Sequence, residues 1–275
     1  MLALLGRRLA VSIPDTVLEE KQSPREKMAK LGMIARAASI YGVDVIEVFS
    51  HPGGRGESRE IRKVLEYMEA PQYLRKRLFP LDEALKYAGI LPPLRIPSHK
   101  ARVPFEKVKK GEVREGVTND DGTVDIGLDV APSLSPRSAA GRRVTIRIAS
   151  VTPPTAETIQ RGDAPGYWGY VVETKTLPEV LSDTRFRVKI ATSRLGTPLA
   201  ESLPGLRERV RVTEGVKLIF GSPSRGLRDL AGRELDSRVD FVLNLFPQQH
   251  VETVRTEEAV FACLELLALL SAEKA

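Results

Sequence analysis

Helix-length segments alternate with short β-branched runs at both ends of this chain, and the rhythm stops between about Pro92 and Pro178. That interruption constrains the fold more than any other feature. Arg8–Ile13 reads as a strand ending at Pro14. Ser23 to Tyr41 reads as a helix: Ser23 suits an N-cap, Pro24 lies in the first turn, Glu26 completes a capping box and Gly42 stops it. Val43–Phe49 is a strand rich in β-branched residues. The loop HPGGRGES follows, its glycines suiting mobility or close approach to a ligand; then comes a helix from Ser58 to Leu78, broken near Pro71. This β-α-β-α order predicts a parallel sheet with helices on its faces.

In the interruption, VREGVTND, DGTVDIGLD, GRRVTIRIASV and YWGYVVETK alternate with period two, and Asp121-Gly122 is a hairpin signal. Several short strands with turn signals predict a small barrel or sandwich. The α/β rhythm then returns. Phe186–Ala191, Val216–Phe220 and Asp240–Leu245 read as strands, Leu203–Arg211 as a short helix or loop, and Arg255–Ala272 as the last helix. The expected organisation is an α/β domain split by an insertion, with 1–92 and 179–275 flanking a β unit at 93–178.

Hydrophobic residues make up 42% and charged residues 28%, an ordinary balance for a soluble protein. No apolar run approaches the roughly 20 residues of a membrane span. The leading MLALLGRRLAVSIPD is interrupted by Arg7 and Arg8 and does not read as a signal peptide, so a cytoplasmic location is expected. The net charge of +6 favours polyanionic partners. Cations cluster at Arg75, Lys76 and Arg77, and again at Lys100, Arg102, Lys107, Lys109, Lys110 and Arg114. Cys263, the single cysteine, lies in an apolar helical run and reads as a core thiol. His51, His99 and His250 are scattered and form no zinc pattern, so no metal is expected.

The last three strands end in loops of unusual composition: TSRLGT, GSPSRGL and FPQQHVETVRTEEA. In an open α/β sheet, ligands bind beyond the carboxyl ends of the strands. Gly221 and Gly226 permit close backbone approach, and Ser222 and Ser224 supply hydroxyls. GSPSRG lacks the ending of a P-loop, and no GxGxxG follows the first strand. A Gly-Ser-Pro after a strand reads equally well as a plain turn.

LIFGSPSRGL and LNLFPQQHVETVRTEEAVFACLELL resemble the cofactor-binding motifs of the SPOUT superfamily of RNA methyltransferases. APQYLRKRLFPLDEALKYAGILPPLRIPSHK resembles a signature of its archaeal and eukaryotic branch with an inserted OB-like barrel. The likeness covers nearly the whole chain and is strongest in 70–100 and 216–262. It implies a trefoil-knotted parallel α/β sheet, which general rules against knots would not suggest. It also implies S-adenosyl-L-methionine held by the knot loops, a homodimer, and ribosomal RNA as substrate, with uridine N3 as the target atom. Carried over, Thr192 and Ser193 would line one side of the cofactor, and Gly221, Ser222 and Gly226 the second. Leu245, Phe246, Gln248, Thr253 and Val254 would surround it from the third.

Methyl transfer from a sulfonium needs alignment and exclusion of water. If a uridine ring nitrogen is the target, a proton must leave and a cation can stabilise the anionic base. Arg225 is the first candidate, with Arg194 and Arg255 beside it; Arg225 reads equally as a loop-organising surface residue. Glu257 and Glu258 suit a proton acceptor, and suit a helix N-terminus better. His250 could serve as a base, or simply be exposed. For RNA, the candidates are Arg75, Lys76, Arg77, Lys107, Lys109, Lys110 and, for stacking, Tyr167, with Trp168 read as core. The helix VFACLELLALL is apolar nearly all round, as expected if a second subunit covers part of it. A non-catalytic RNA-binding assembly factor and a ribose 2′-O-methyltransferase are the alternative readings.

Overall fold

The structure, a computed structural model, describes residues 8–20, 23–52 and 56–272, the Arg233 side chain excepted. The expectations for the leading segment before Arg8 and for Gly53 and Gly54 lie outside the described residues. In chain order the elements are β1 (Arg8–Pro14), α1 (Pro24–Ile40), β2 (Val45–Ser50), α2 (Ser58–Glu69), α3 (Gln72–Leu78), β3 (Val113–Thr118), β4 (Val124–Asp125), β5 (Ser133–Ser135), β6 (Arg143–Ser150), β7 (Thr155–Ile159), β8 (Val171–Thr176), α4 (Leu177–Ser182), β9 (Val188–Pro198), α5 (Leu199–Val212), β10 (Gly215–Ile219), α6 (Leu227–Ala231), α7 (Leu235–Arg238), β11 (Phe241–Asn244) and α8 (Thr256–Ala272). They form two compact units. One holds the chain up to Glu66, Ala84–Pro92 and everything from Tyr170; the other holds Tyr67–Glu83 and Pro93–Gly169.

The first unit is built on a six-stranded sheet in the order β11-β9-β10-β1-β2-β8, parallel throughout. Its central strands β1, β2 and β10 are buried nearly throughout, on both faces, and are mostly apolar. Helix α1 starts at the expected capping box: the Glu26 amide donates to Ser23 Oγ at 3.3 Å, and the Ser23 amide to Glu26 Oε2 at 2.6 Å. Gly42 follows its end at φ +70°. The stretch 203–211 proves to be part of a full helix, α5, which runs through Pro204. Helix α8 packs on α1 and α5, burying Val260, Cys263, Leu264 and Leu267. Tyr41 meets Phe261 edge-on and donates to Glu265 at 2.9 Å.

One strand sits elsewhere than expected. YWGYVVETK was assigned to the inserted unit, yet Val171–Thr176 pairs in parallel with β2, from Val45↔Val171 to Ser50↔Thr176. The outer edge of β2 needs partners for its amides and carbonyls, and β8 supplies them. The period-two reading of GYWGY also fails, since Tyr167–Tyr170 is not strand and Gly169 turns the chain at φ +112°.

Under the sheet lies a buried ionic network. Lys217 and Glu47 are both fully buried, 2.9 Å apart, and Ser12 donates to Glu47 at 2.5 Å. Lys175 reaches Glu47 and Asp183, Lys217 reaches Asp183 at 3.1 Å, and Arg185 clasps Glu173 and Asp183. Each charge meets an opposite one, which is what makes such burial tolerable.

The second unit holds a five-stranded sheet, β4-β3-β6-β7-β5, antiparallel except for β5 with β7. A bridge between Thr123 and Ser133, with backbone bonds Val124 to Pro132 and Leu134 to Gly122, carries β5 back toward β4. The turn before β4 has Gly122 at φ +84°, as the Asp-Gly signal required. Inward residues Phe105, Val124, Ile126, Leu134, Ile146 and Ile148 form its core. Beside that core, the buried Glu115 carboxylate accepts from Trp168 Nε1, Thr145 Oγ1 and Arg143 Nε, each at 2.6 Å.

Candidate active site

Strands β9, β10 and β11 are neighbours; the expected loop TSRLGT proves to be the irregular second half of β9, and it rises beside the loops that follow β10 and β11. They are tied to one another. Thr192 Oγ1 donates to the Ile219 carbonyl at 3.3 Å, and Asn244 Nδ2 donates to the Arg194 carbonyl at 2.8 Å. Arg194 Nη1 reaches the Glu252 carbonyl at 3.4 Å. Within the second loop, Ser222 and Arg225 close a turn through Ser222 N to Arg225 O and Arg225 N to Ser222 Oγ, both 2.9 Å. The Gly226 amide is capped by Asp229 at 3.1 Å. The third loop is braced by Gln249, whose side chain donates to the Val251 and Glu252 carbonyls.

Together the loops enclose a cavity of about 310 Å³. Eleven of the candidate ligand-site residues singled out from sequence line it: Thr192, Ser193, Arg194, Gly221, Ser222, Ser224, Gly226, Leu245, Phe246, Thr253 and Val254. Gln248, Arg225 and Arg255 do not. Sequence reasoning missed, among others, Phe220, Leu243, Asn244, Asp229, Glu252, Ala259 and Cys263, which also line it. The last two come from α8, whose apolar face gave no local sign that part of it borders a cavity. Burial pushes the Cys263 thiol well above its usual range, so it serves as wall rather than nucleophile. Glu257 and Glu258 stand in the first turn of α8; Glu258 caps the Arg255 amide at 2.9 Å, and Glu257 is buried 3.4 Å from Lys30.

Arg225 turns the other way, toward β1 and β2. Its guanidinium donates to the Pro52 carbonyl at 3.0 Å and lies 3.1 Å from His51 Nδ1. His51 Nε2 is 2.9 Å from Thr16 Oγ1. Ser224 donates to Glu19 at 2.6 Å, and Ser58 to the buried Asp15 at 3.2 Å. Burial raises the Asp15 carboxyl above its ordinary value. One loop, 221–226, thus borders the cavity on one side and a polar network on the other. His51 and Asp15 were not picked out as functional from sequence; their place directly after two strands was the available signal.

In the second unit, Arg75 donates to the Met68 and Ala70 carbonyls and covers the Tyr67 ring, and Arg77 bonds Thr118 and Asp125. Lys76, Lys107, Lys109 and Lys110 are exposed, and Tyr167 is half-buried. Among the described residues, no group of three or more His, Cys, Asp or Glu is placed to hold a metal ion, and no helix is long and apolar enough to cross a membrane.

A parallel sheet with a cavity formed by three adjoining strand-end loops defines a ligand-binding α/β protein of the enzyme type. The family described as "Putative RNA methyltransferase" matches residues 8–267, and the chain belongs to this RNA methyltransferase family. The SPOUT resemblance is consistent with it. The chain is 36% identical to an uncharacterized protein of Halobacterium salinarum, over 94% of this chain and 98% of that one. It is 31% identical to the 28S rRNA (uridine-N(3))-methyltransferase of Mus musculus, over 94% of this chain and 75% of the relative. The Homo sapiens protein of the same name is 30% identical, with coverage of 94% and 77%.

Proposed function

We propose that this chain uses S-adenosyl-L-methionine to methylate N3 of a uridine in ribosomal RNA. The cavity closed by the second half of β9 and the loops after β10 and β11 carries the reading, and the names of the mouse and human relatives supply the target. The residues fit the donor. Hydroxyls of Thr192, Ser193 and Ser222 and loop carbonyls suit its polar ends, Phe220, Leu243, Leu245 and Val254 suit its adenine, and the carboxylates of Asp229 and Glu252 suit its cationic part. Bound there, it supplies an activated methyl group on a sulfonium. The loops hold that methyl in line with the nucleophile and exclude water. Transfer to N3 would break the donor's S–CH3 bond and leave a neutral thioether, the N3 proton would pass to solvent, and an arginine would stabilise the anionic base. Arg194, at the cavity wall, is the residue assigned to this; Arg225, held on His51 and the Pro52 carbonyl, organises its loop instead.

In this reading the β9–β11 region forms a trefoil knot, and the five-stranded unit is an OB-like barrel that grips RNA through Lys76, Lys107, Lys109, Lys110, Arg77 and Tyr167. The chain works as a homodimer, supported by the exposed Met33 and Ile40 of α1 and Leu269 of α8. Mass spectrometry of ribosomal RNA from cells with and without the gene tests the assignment. One uridine should lose one methyl group, and an unchanged modification map would overturn it. Arg194→Ala should lose far more of the methyl restored in cells than of its donor affinity by calorimetry.

A further inference from the structure

We infer that the five-stranded unit carries a subsite for one unpaired RNA base with N–H donors on its pairing edge, guanine first. The site is the cavity between Tyr73, Arg102, Pro104, Gly127, Leu128 and Asp129. This rests on the RNA reading above and adds base selection away from the methyl-transfer cavity.

The cavity measures about 560 Å³, ample for one nucleotide. Its floor is built, not incidental. Gly127 sits at φ +73°, and a Cβ there would lie 2.3 Å from the Tyr73 ring, so ring and bare backbone are in direct contact. The Tyr73 phenol donates to the Glu115 carbonyl at 3.0 Å, which fixes the ring. Pro104 and Leu128 add apolar surface for the face of a base.

The charges around it divide in a telling way. Glu69 and Glu115 are held by Arg143, Glu112 by Arg114 and Asp125 by Arg77. By contrast, the exposed side chains of Lys100, Arg102, Lys107, Lys109 and Lys110 make no ion pair or hydrogen bond among the described residues. Arg102 brings one of these cations to the cavity itself, where it suits a phosphate. On the same wall, Asp129 Oδ1 accepts the Phe105 amide at 2.8 Å, and Oδ2 has no partner among the described residues. A carboxylate in a groove meant for a polyanion is unfavourable unless a donor meets it, so it acts as a filter. Guanine presents adjacent N1–H and N2–H donors to such an oxygen pair; cytosine offers its amine. Uracil sets one N–H between two carbonyl oxygens that the carboxylate repels.

Fluorescence anisotropy with the full chain and labelled hexanucleotides UUUUUU, UUGUUU, UUCUUU and UUAUUU tests this at fixed salt. The guanine oligomer should bind roughly tenfold or more tightly than the all-uridine one, with cytosine between. Asp129→Ala should erase that preference while all-uridine affinity holds or rises. Asp129→Asn, which keeps an acceptor for the Phe105 amide, should weaken it without disturbing the melting curve. Arg102→Ala should lower all four affinities alike and reduce the salt slope by about one. Equal binding of the four oligomers, or a guanine preference surviving both Asp129 variants, would overturn the subsite. Donor calorimetry is independent: selective oligomer binding without donor binding would sink the methyl-transfer reading and leave the subsite standing.

Discussion

Adding one methyl group at Gly196 should damage both the fold and the donor cavity. Strand β9 pairs with β11 in two stretches, and Ala191↔Val242 is followed directly by Thr197↔Leu243, so 192–196 bows out between them. Gly196 closes that bow. A Cβ there would lie 2.6 Å from the Val242 carbonyl oxygen, 2.7 Å from the Leu243 carbonyl carbon and 2.9 Å from the Asn244 amide nitrogen. The first is roughly 0.7 Å inside the ~3.3 Å at which C–H···O contacts begin. All three neighbours are backbone, so no side chain can swing away and β11 itself must shift. Asn244 then loses its 2.8 Å hold on the Arg194 carbonyl, and the first and third loops separate. Forced overpacking of this kind costs about 1–3 kcal/mol. At ~2–4 °C per kcal/mol, melting should fall by roughly 2–12 °C. Calorimetry with S-adenosyl-L-methionine should show affinity lost by more than the fall in stability accounts for. Gly205→Ala, with its nearest neighbour 3.8 Å away inside α5, is the control and should gain about 0.5–1 kcal/mol. A Gly196→Ala protein with wild-type melting and donor affinity would refute the close crossing as the basis of the cavity.

Lys217→Met should cost about 3–5 kcal/mol in urea unfolding, because Glu47 stays buried with its one fully buried cation removed; a loss below about 1 kcal/mol would mean that Lys175 alone suffices. Trp168→Phe should lose about 1.5–3 kcal/mol by circular-dichroism melting, since Glu115 forfeits a 2.6 Å charge-assisted bond. Hydrogen bonds from Arg185 hold the Glu173 carboxyl down at about 2, below its ordinary 4.5. A depressed acid stabilises the fold above its unfolded value, so melting temperature should drop as pH falls from about 4.5 toward 2, and Arg185→Gln should flatten that dependence.

Much of the local structure was legible in residue order. Ser23, Pro24, Glu26 and Gly42 bounded α1, Asp121-Gly122 marked a turn, and three odd strand-end segments turned out to share one cavity. Apart from the turn at Gly169 and the full length of α5, the misplacements were long-range. Val171–Thr176 has the same alternating pattern in a barrel or at a sheet edge, and Gln248 sits among cavity residues in sequence but is exposed and does not line the cavity.

Residue order by itself determined where helices start, where turns fall and which strand ends are rich in glycine and serine. Those features depend on hydrogen bonds and sterics spanning only a few residues. Only the tertiary structure decided that β8 joins β2, that Arg225 reaches His51 across 174 positions, and that Gly196 meets β11 backbone to backbone. Such pairings are set by which apolar faces and open strand edges can be buried together, a competition among segments far apart in the chain.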